Sequence, residues 1–243
     1  MMQALQAIVF DFDGVIADSE ALHLRAYQEV LAPLGLSLSG DEYYQLYLGY
    51  HDLGVVERYA ANRQLDWNRS TMTRLVDDKS RRYEELAGRG EMIFPGAATF
   101  IRSAAAVVPI GIASGARTSE IEDILGRAGL KDHFTAIVGA DRVAQSKPAP
   151  DPYIEAFTIL SASADHLLDR AKTVAIEDSY WGLEAARAAG LRLVGVTNSF
   201  SVDAITSAAE MVVPGLDGLT LSALDALCAE PPGAHYPARR RRA

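Results

Sequence analysis

A buried strand that ends in two carboxylates is predicted from the sequence Ile8-Val9-Phe10-Asp11-Phe12-Asp13-Gly14. Successive strand residues point to opposite faces, so Asp11 and Asp13 should lie on the same side of its carboxyl end. Two carboxylates this close repel each other unless a positive charge lies between them, and a divalent cation is the expected partner. An ordinary acidic turn is the simpler alternative. A calcium loop is excluded because Gly14 stands at the fourth position of the pattern instead of the sixth.

The composition bounds the class of protein. The chain has 243 residues, of which 49% are hydrophobic, enough for one large α/β domain with a smaller insert. With 23 basic and 32 acidic residues the net charge is -9, which disfavours nucleic acid as a partner. The single cysteine, Cys228, excludes an internal disulfide, and neither a signal peptide nor a membrane span is predicted. We therefore expect a cytoplasmic protein, monomeric or weakly dimeric, without membrane or nucleic-acid partners.

A small all-helical insert is predicted after the first strand. Leu22, Ala26 and Val30 recur at helical spacing behind Ser19, a candidate helix N-cap. Further helices are predicted over about 39–48, 53–62 and 68–87, separated by glycines. No strand is predicted between the first helix and about residue 90. We therefore assign residues 17–92 to a helical cap domain.

Strands and helices alternate in the rest of the chain. Strands are predicted at about 108–113, 136–139, 173–176, 192–196 and 211–213, with amphipathic helices between them. This alternation predicts an α/β fold with a doubly wound parallel sheet, in which residues 1–16 and 93–229 form the core domain. Residues 230–243 are rich in proline and arginine and predict a disordered tail, whose arginine run is expected to be solvated.

Polar residues follow the predicted strands, where a doubly wound sheet binds its ligand. Ser114 and Gly115 come after one strand, and their hydroxyl and backbone N–H groups could hold a phosphate. Lys147 precedes Pro148 and Pro150, which are expected to hold the chain extended and to fix the lysine. Each motif alone is also compatible with a common turn, an N-cap or a surface charge.

A second acidic pair, Glu177 and Asp178, follows the strand predicted at about 173–176. Asp178 alone could be a helix N-cap. Together with Asp11 and Asp13 at a neighbouring strand end, the pair predicts a shared Mg²⁺ site, because carboxylate oxygens are the ligands this ion prefers.

Taken together, these motifs resemble those of the haloacid dehalogenase-like hydrolase superfamily, with a Rossmannoid core. They match in order over residues 8 to about 196: Asp11-Phe12-Asp13-Gly14-Val15, Ser114, Lys147 and Glu177-Asp178. The helical insert is similar to the cap of the subgroup that holds phosphoglycolate phosphatases and β-phosphoglucomutases. The resemblance implies a phosphoric monoester hydrolase that needs Mg²⁺ and forms an aspartyl-phosphate intermediate. Its substrate would be a small phosphorylated metabolite, either a sugar phosphate or a phosphoglycolate-like compound.

The resemblance also implies residue roles. Asp11 would be the nucleophile, and Asp13 would be the general acid and base. The phosphoryl oxygens would be bound by Ser114, Gly115 and Lys147. Mg²⁺ would be held by Asp11, Asp13, Glu177 and Asp178. In the cap, the substrate would be contacted by Ser19, His23, Gly49 and Lys79.

Alternatives to a phosphatase remain open. The dehalogenase branch lacks an acid at the position of Asp13, which favours phosphoryl transfer here. A receiver domain uses similar residues but has its phospho-acceptor on a later strand. A non-catalytic phospho-ligand-binding module would be expected to lack a catalytic residue, and none is missing. A β-phosphoglucomutase would place an arginine where this chain has Asp52, an acid that would repel a distal phosphate.

Overall fold

The computed structural model of this chain describes residues 4–48, 50–87, 92–200 and 202–232. It divides into two compact units. One unit contains the chain up to Ala17 and from Ile93 onward, and the other is Asp18–Met92. The predicted α/β class with a helical insert after the first strand is confirmed. In the described ranges no helix has the length and apolar character needed to cross a membrane.

The first unit is built on one six-stranded parallel sheet with the strand order β3-β2-β1-β4-β5-β6. The strands are β1 Ala7–Phe10, β2 Ile110–Ala113, β3 Ala136–Val138, β4 Thr173–Glu177, β5 Arg192–Val196 and β6 Met211–Val213. The four central strands, β2, β1, β4 and β5, are buried along their whole length. Near-continuous apolar runs of this kind are typical of parallel sheets covered on both faces.

The second unit consists of α-helices in its described part. They are α1 Glu20–Leu31, α2 Gly40–Leu46, α3 Asp52–Asn62 and α4 Arg69–Ala87. The Ser39 hydroxyl caps α2 by accepting a hydrogen bond from the N–H of Glu42 at 3.1 Å. Ser19 precedes α1, but its backbone is helical and its side chain makes no capping bond, so the predicted N-cap was wrong. An N-cap residue needs extended backbone angles to turn its side chain toward the first helical N–H groups.

Helices of the first unit alternate with its strands. They are α5 Ala97–Ala105, α6 Thr118–Arg127, α7 Asp151–Ser163, α8 Tyr180–Ala188, α9 Val202–Thr206 and α10 Leu221–Ala229. The short α9 was not predicted from the sequence. Cys228 is buried, and burial raises the pKa of its thiol to about 12, as expected of an unreactive packing residue. The predicted tail lies outside the described residues from residue 233 on.

The strand order fixes the position of the functional site. From β1 the chain builds outward through β2 and β3, then returns to the other side of β1 and builds outward through β4, β5 and β6. The direction of winding therefore reverses between β1 and β4, and ligands of doubly wound sheets bind at the carboxyl ends of such strands. Phe10 is in register with Ile112 on one side and Ile176 on the other, so these three strands end at the same level.

Candidate active site

Three buried acids meet at this switch point. Asp11 follows β1 directly, Glu177 is the last residue of β4, and Asp178 comes next. The N–H of Asp11 donates to the carbonyl of Ile176 at 2.9 Å, which extends the ladder between the two strands. One carboxylate oxygen from each acid lies within 4.8 Å of those of the other two. Parallel pairing thus brings together side chains that are far apart in sequence.

Lys147 lies among these acids. Its Nζ is 2.7 Å from Asp11 Oδ1 and 2.5 Å from Glu177 Oε1, and the side chain is 8% exposed. Burial by itself would lower the pKa of Lys147, but the charges of Asp11 and Glu177 outweigh it and raise the pKa above its usual value. The raised pKa favours the charged ammonium form beside Asp11.

The segment that carries Lys147 differs from the prediction. An extended chain was expected from the two prolines, whereas the backbone turns, with the N–H of Ala149 donating to the carbonyl of Ser146 at 3.0 Å. The peptide bond between Lys147 and Pro148 is cis. The turn precedes α7 and directs the lysine into the acidic cluster.

The charge on Asp11 is incompletely balanced. Burial, and next the neighbouring charge of Glu177, raise the pKa of Asp11 well above its usual range, against the lowering effect of Lys147. The charge of Asp13 raises the pKa of Asp11 as well. A divalent cation would remove this repulsion, and the oxygen donors of Asp11 and Asp178 suit Mg²⁺. The residues present therefore fit the ion.

Glu177 is fully buried and accepts five hydrogen bonds. Lys147 Nζ and the Tyr153 hydroxyl donate to Oε1, the latter at 2.9 Å. Oε2 accepts from the N–H of Asp178 and from both the N–H and the hydroxyl of Ser179, at 3.0 to 3.1 Å. Because a carboxylate has about four lone-pair sites, these donors occupy it fully.

Asp178 is oriented by a residue from another strand end. The Ser199 hydroxyl, which follows β5, donates a short hydrogen bond to Asp178 Oδ2. Asp178 is not a helix cap, because Ser179 has that role and accepts from the N–H of Gly182 at 3.1 Å. The helix is thus capped by a hydroxyl, so capping does not occupy the Asp178 carboxylate.

Gly14 is required by both conformation and space. Its φ is +79°, and a Cβ atom there would lie 1.8 Å from Asp178 Oδ2. The side chain of Asn198 donates to the carbonyl of Gly14 at 2.8 Å and holds the loop that carries Asp13. The glycine of the acidic motif therefore lets this loop approach the second acidic pair.

Ser114 and Gly115 follow β2, next to β1 in the sheet. Ser114 is buried, its N–H donates to the carbonyl of Val138, and its Oγ accepts from the N–H of Ala116 at 3.0 Å. A Cβ atom at Gly115 would meet nothing within 4 Å, so there is open space beside this turn. The position suits a bound phosphoryl group.

In the second unit, His23 and Lys79 are joined through a buried cluster. Lys79 Nζ lies 2.6 Å from His23 Nδ1 and 2.7 Å from Asp52 Oδ1, and the lysine side chain is fully buried. The Tyr27 hydroxyl also donates to Asp52, at 2.8 Å. Lys79 therefore has its charge balanced by Asp52, the acid that the sequence placed where a mutase would have arginine.

The other two predicted cap residues are less informative. Ser19 is buried just before α1, and Gly49 lies outside the described residues. That the four predicted cap residues contact the substrate stays a prediction.

Sequence reasoning missed four residues of the site: Tyr153, Ser179, Asn198 and Ser199. The last two follow β5, so collecting polar residues after every strand would have found them. Ser179 directly follows the acidic pair, at a position where a serine is typical of a helix N-cap. Tyr153 stands at an apolar position of α7, where the sequence has no signal that separates a packing tyrosine from a functional one.

The sheet, with three buried acids and a lysine at its switch point, defines an α/β enzyme with an acidic catalytic centre. The family model described as haloacid dehalogenase-like hydrolase matches residues 8–196. The chain belongs to this family, and its relatives include a protein named phosphoglycolate phosphatase. A structure of β-phosphoglucomutase that is 22% identical shares its fold.

Three relatives illustrate the match. Protein CbbY of Rhodobacter capsulatus is 32% identical over 233 residues, 92% of this chain and 99% of that protein. Hexitol phosphatase B of Escherichia coli is 30% identical over 195 residues, 78% of this chain and 82% of that protein. The crystal structure of a CbbY mutant from Rhodobacter sphaeroides with xylulose-(1,5)bisphosphate has a TM-score of 0.81 and 28% identity, covering 91% of this chain and 99% of the other.

Proposed function

We propose that this protein is a Mg²⁺-dependent phosphatase that hydrolyses a small phosphorylated metabolite through an aspartyl-phosphate intermediate. The contact between Lys147 Nζ and Asp11 Oδ1, 2.7 Å long and at the edge of the acidic cluster, carries the proposal. It supplies a carboxylate nucleophile and, beside it, a fixed positive charge for the oxygens of the phosphoryl group. Relatives named phosphatases support the reaction class.

The reaction has two chemical steps. An Asp11 oxygen attacks phosphorus, the P–O ester bond breaks, and Asp13 gives a proton to the departing oxygen of the metabolite. Asp13 then takes a proton from water, which attacks the aspartyl-phosphate and releases inorganic phosphate and free Asp11. Throughout, Lys147 and the groups around Ser114 orient the phosphoryl oxygens and offset their charge.

Asp11 and Asp178, with the main-chain carbonyl of Asp13, would hold the Mg²⁺ ion. When bound, the ion supplies positive charge that neutralises the phosphoryl group and the nearby acids. Because five donors occupy Glu177, we propose that its main role is to hold Lys147. It would contact the ion only through water.

Sugar phosphates are the proposed substrate class. The supporting observations are a relative named as a hexitol phosphatase and the related CbbY protein that was crystallised with a sugar bisphosphate. Hydrolysis is favoured over a mutase reaction because Lys79 is already paired with Asp52 inside its own unit. A mutase needs a cation in the cap that is available to a second phosphate.

Asp11→Asn tests the proposal. The amide has the same shape but cannot attack phosphorus, so phosphate release from a panel of phosphorylated metabolites should fall by several orders of magnitude. Asp165→Asn, at an exposed loop position, is the matched control and should behave like the unaltered protein. Normal turnover in the Asp11→Asn variant would remove this mechanism, and the panel would identify the preferred metabolite.

The cytoplasmic location and the monomeric or weakly dimeric state stay predictions, as do the assignments of the two units to catalysis and substrate selection.

A further inference from the structure

Tyr153 is a fully buried tyrosine that the proposed mechanism does not use. It lies in the first turn of α7, and its hydroxyl donates to Glu177 Oε1 at 2.9 Å. Burying a hydroxyl is unfavourable unless it forms a hydrogen bond, and phenylalanine would fill nearly the same space without that requirement. The hydroxyl therefore points to a function at Glu177 beyond packing.

The oxygen that Tyr153 contacts is the same one that holds Lys147. Glu177 Oε1 receives the tyrosine hydroxyl and Lys147 Nζ, the latter at 2.5 Å. Lys147 Nζ also lies 5.0 Å from the centre of the Tyr153 ring, within the range of a cation–π contact. Tyr153 thus contacts the lysine with its ring and the carboxylate with its hydroxyl.

The other end of the carboxylate is held separately. Glu177 Oε2 accepts three hydrogen bonds from Asp178 and Ser179, at the start of α8. These three hydrogen bonds fix Oε2, but the carboxylate could still rotate about that oxygen. Only donors to Oε1 can restrain this rotation. Lys147 cannot supply that restraint alone, because its own position is what Glu177 must set.

We propose that Tyr153 is a positioning residue that fixes Glu177 and, through it, places Lys147 Nζ beside Asp11. The inference rests on the proposed function, in which Lys147 stabilises charge on the transferring phosphoryl group. A displacement of about 1 Å at such a group can lower a rate by two orders of magnitude, so a hydroxyl that only orients a neighbour can still affect turnover.

Tyr153→Phe isolates the hydroxyl, because the ring and its contact with Lys147 are kept. Tyr59→Phe is the matched control, since Tyr59 is also buried and its hydroxyl donates to the carbonyl of Ser37 at 2.9 Å. Each variant loses a hydroxyl hydrogen bond of a buried tyrosine, and both should lower the melting temperature. A merely structural role for Tyr153 would produce that fall and nothing else.

The decisive readout is binding of two phosphate-like anions in the presence of Mg²⁺. Orthovanadate adopts the geometry of the transferring group, whereas inorganic phosphate resembles the product. The dissociation constant of each anion is obtained from its effect on the melting temperature. In Tyr153→Phe, the constant should rise about tenfold for orthovanadate and less than threefold for inorganic phosphate. With p-nitrophenyl phosphate as substrate, kcat should fall about tenfold at nearly constant KM.

Glu177→Gln is a second variant, which keeps the side-chain shape and removes the charge that holds Lys147. This variant should weaken the binding of orthovanadate more than the binding of phosphate. Adding Tyr153→Phe should have no further effect on either dissociation constant, because the tyrosine acts through Glu177. An unchanged orthovanadate constant in Tyr153→Phe would overturn the inference, as would additive effects. If Tyr153→Phe does not fold, an unchanged ratio of the two constants in Glu177→Gln would overturn it.

Failure of the proposed function would look different. An unaltered protein that releases no phosphate from any ester with Mg²⁺ would refute the phosphatase, while the orthovanadate shift would still test the role of Tyr153.

Discussion

Replacing Gly182 by alanine should disturb the active site without removing any of its functional groups. Gly182 lies in the first turn of α8, where alanine is the better helix former by about 1 kcal/mol. Its Cβ atom, however, would lie 1.7 Å from Glu177 Oε1, whereas ordinary contact begins at 3.4 Å. The carboxylate would have to move by the difference, 3.4 minus 1.7, or 1.7 Å.

Such a movement would break the two hydrogen bonds that Oε1 accepts, from Lys147 and Tyr153. Hydrogen bonds to a charged group contribute about 1.5 to 3 kcal/mol each, so the loss amounts to about 3 to 6 kcal/mol. After the gain in helix propensity, the free energy of unfolding should fall by about 2 to 5 kcal/mol. Lys147 would also lose its fixed position, so kcat should fall by at least about tenfold.

Urea unfolding measures the stability, and phosphate release from p-nitrophenyl phosphate with Mg²⁺ measures the activity. Gly126→Ala is the control: this residue lies near the end of α6, and a Cβ atom there meets nothing within 4 Å. It should raise stability by up to about 1 kcal/mol and leave activity unchanged. If Gly182→Ala proved as stable and active as Gly126→Ala, the described position of Glu177 would be wrong.

Three further outcomes are expected. Mg²⁺ should raise the melting temperature, and Asp178→Asn should abolish this rise. Chelation should stop turnover, and activity that survives exhaustive chelation would contradict a metal role. With β-glucose 1-phosphate and a trace of the 1,6-bisphosphate, inorganic phosphate should exceed glucose 6-phosphate; stoichiometric glucose 6-phosphate would instead establish a mutase. Burial opposes a low pKa for Asp52, but the charges of Lys79 and His23 outweigh it and lower the pKa below its usual value. The ionised Asp52 therefore contributes fully to the free energy of unfolding at neutral pH, and this contribution is lost as the pH falls through the lowered pKa. The difference in the free energy of unfolding between the unaltered protein and Asp52→Asn, measured by urea unfolding, should shrink below about pH 4.

The sequence alone determined the class of fold and the approximate position of most elements. Apolar runs and helical periodicity are local signals, and they located β5 at 192–196 and β6 at 211–213, as found. Other limits shifted by a few residues, because the ends of helices and strands depend on caps and neighbours. The motifs and their order along the chain also indicated the family, because both are read directly from the sequence.

The tertiary structure decided which of these groups meet and how. Lys147 and Asp11 are 136 residues apart, and their contact exists because α7, which follows Lys147, packs against β1 and β2. The sequence offered Glu177 as a metal ligand. Three of its five hydrogen bonds come from the two residues that follow it, but only the fold brings Lys147 and Tyr153 to its other oxygen. Tyr153 gave no signal for the same reason: a hydrogen-bond partner is chosen by spatial neighbours, whereas a hydrophobic pattern records only which face is buried.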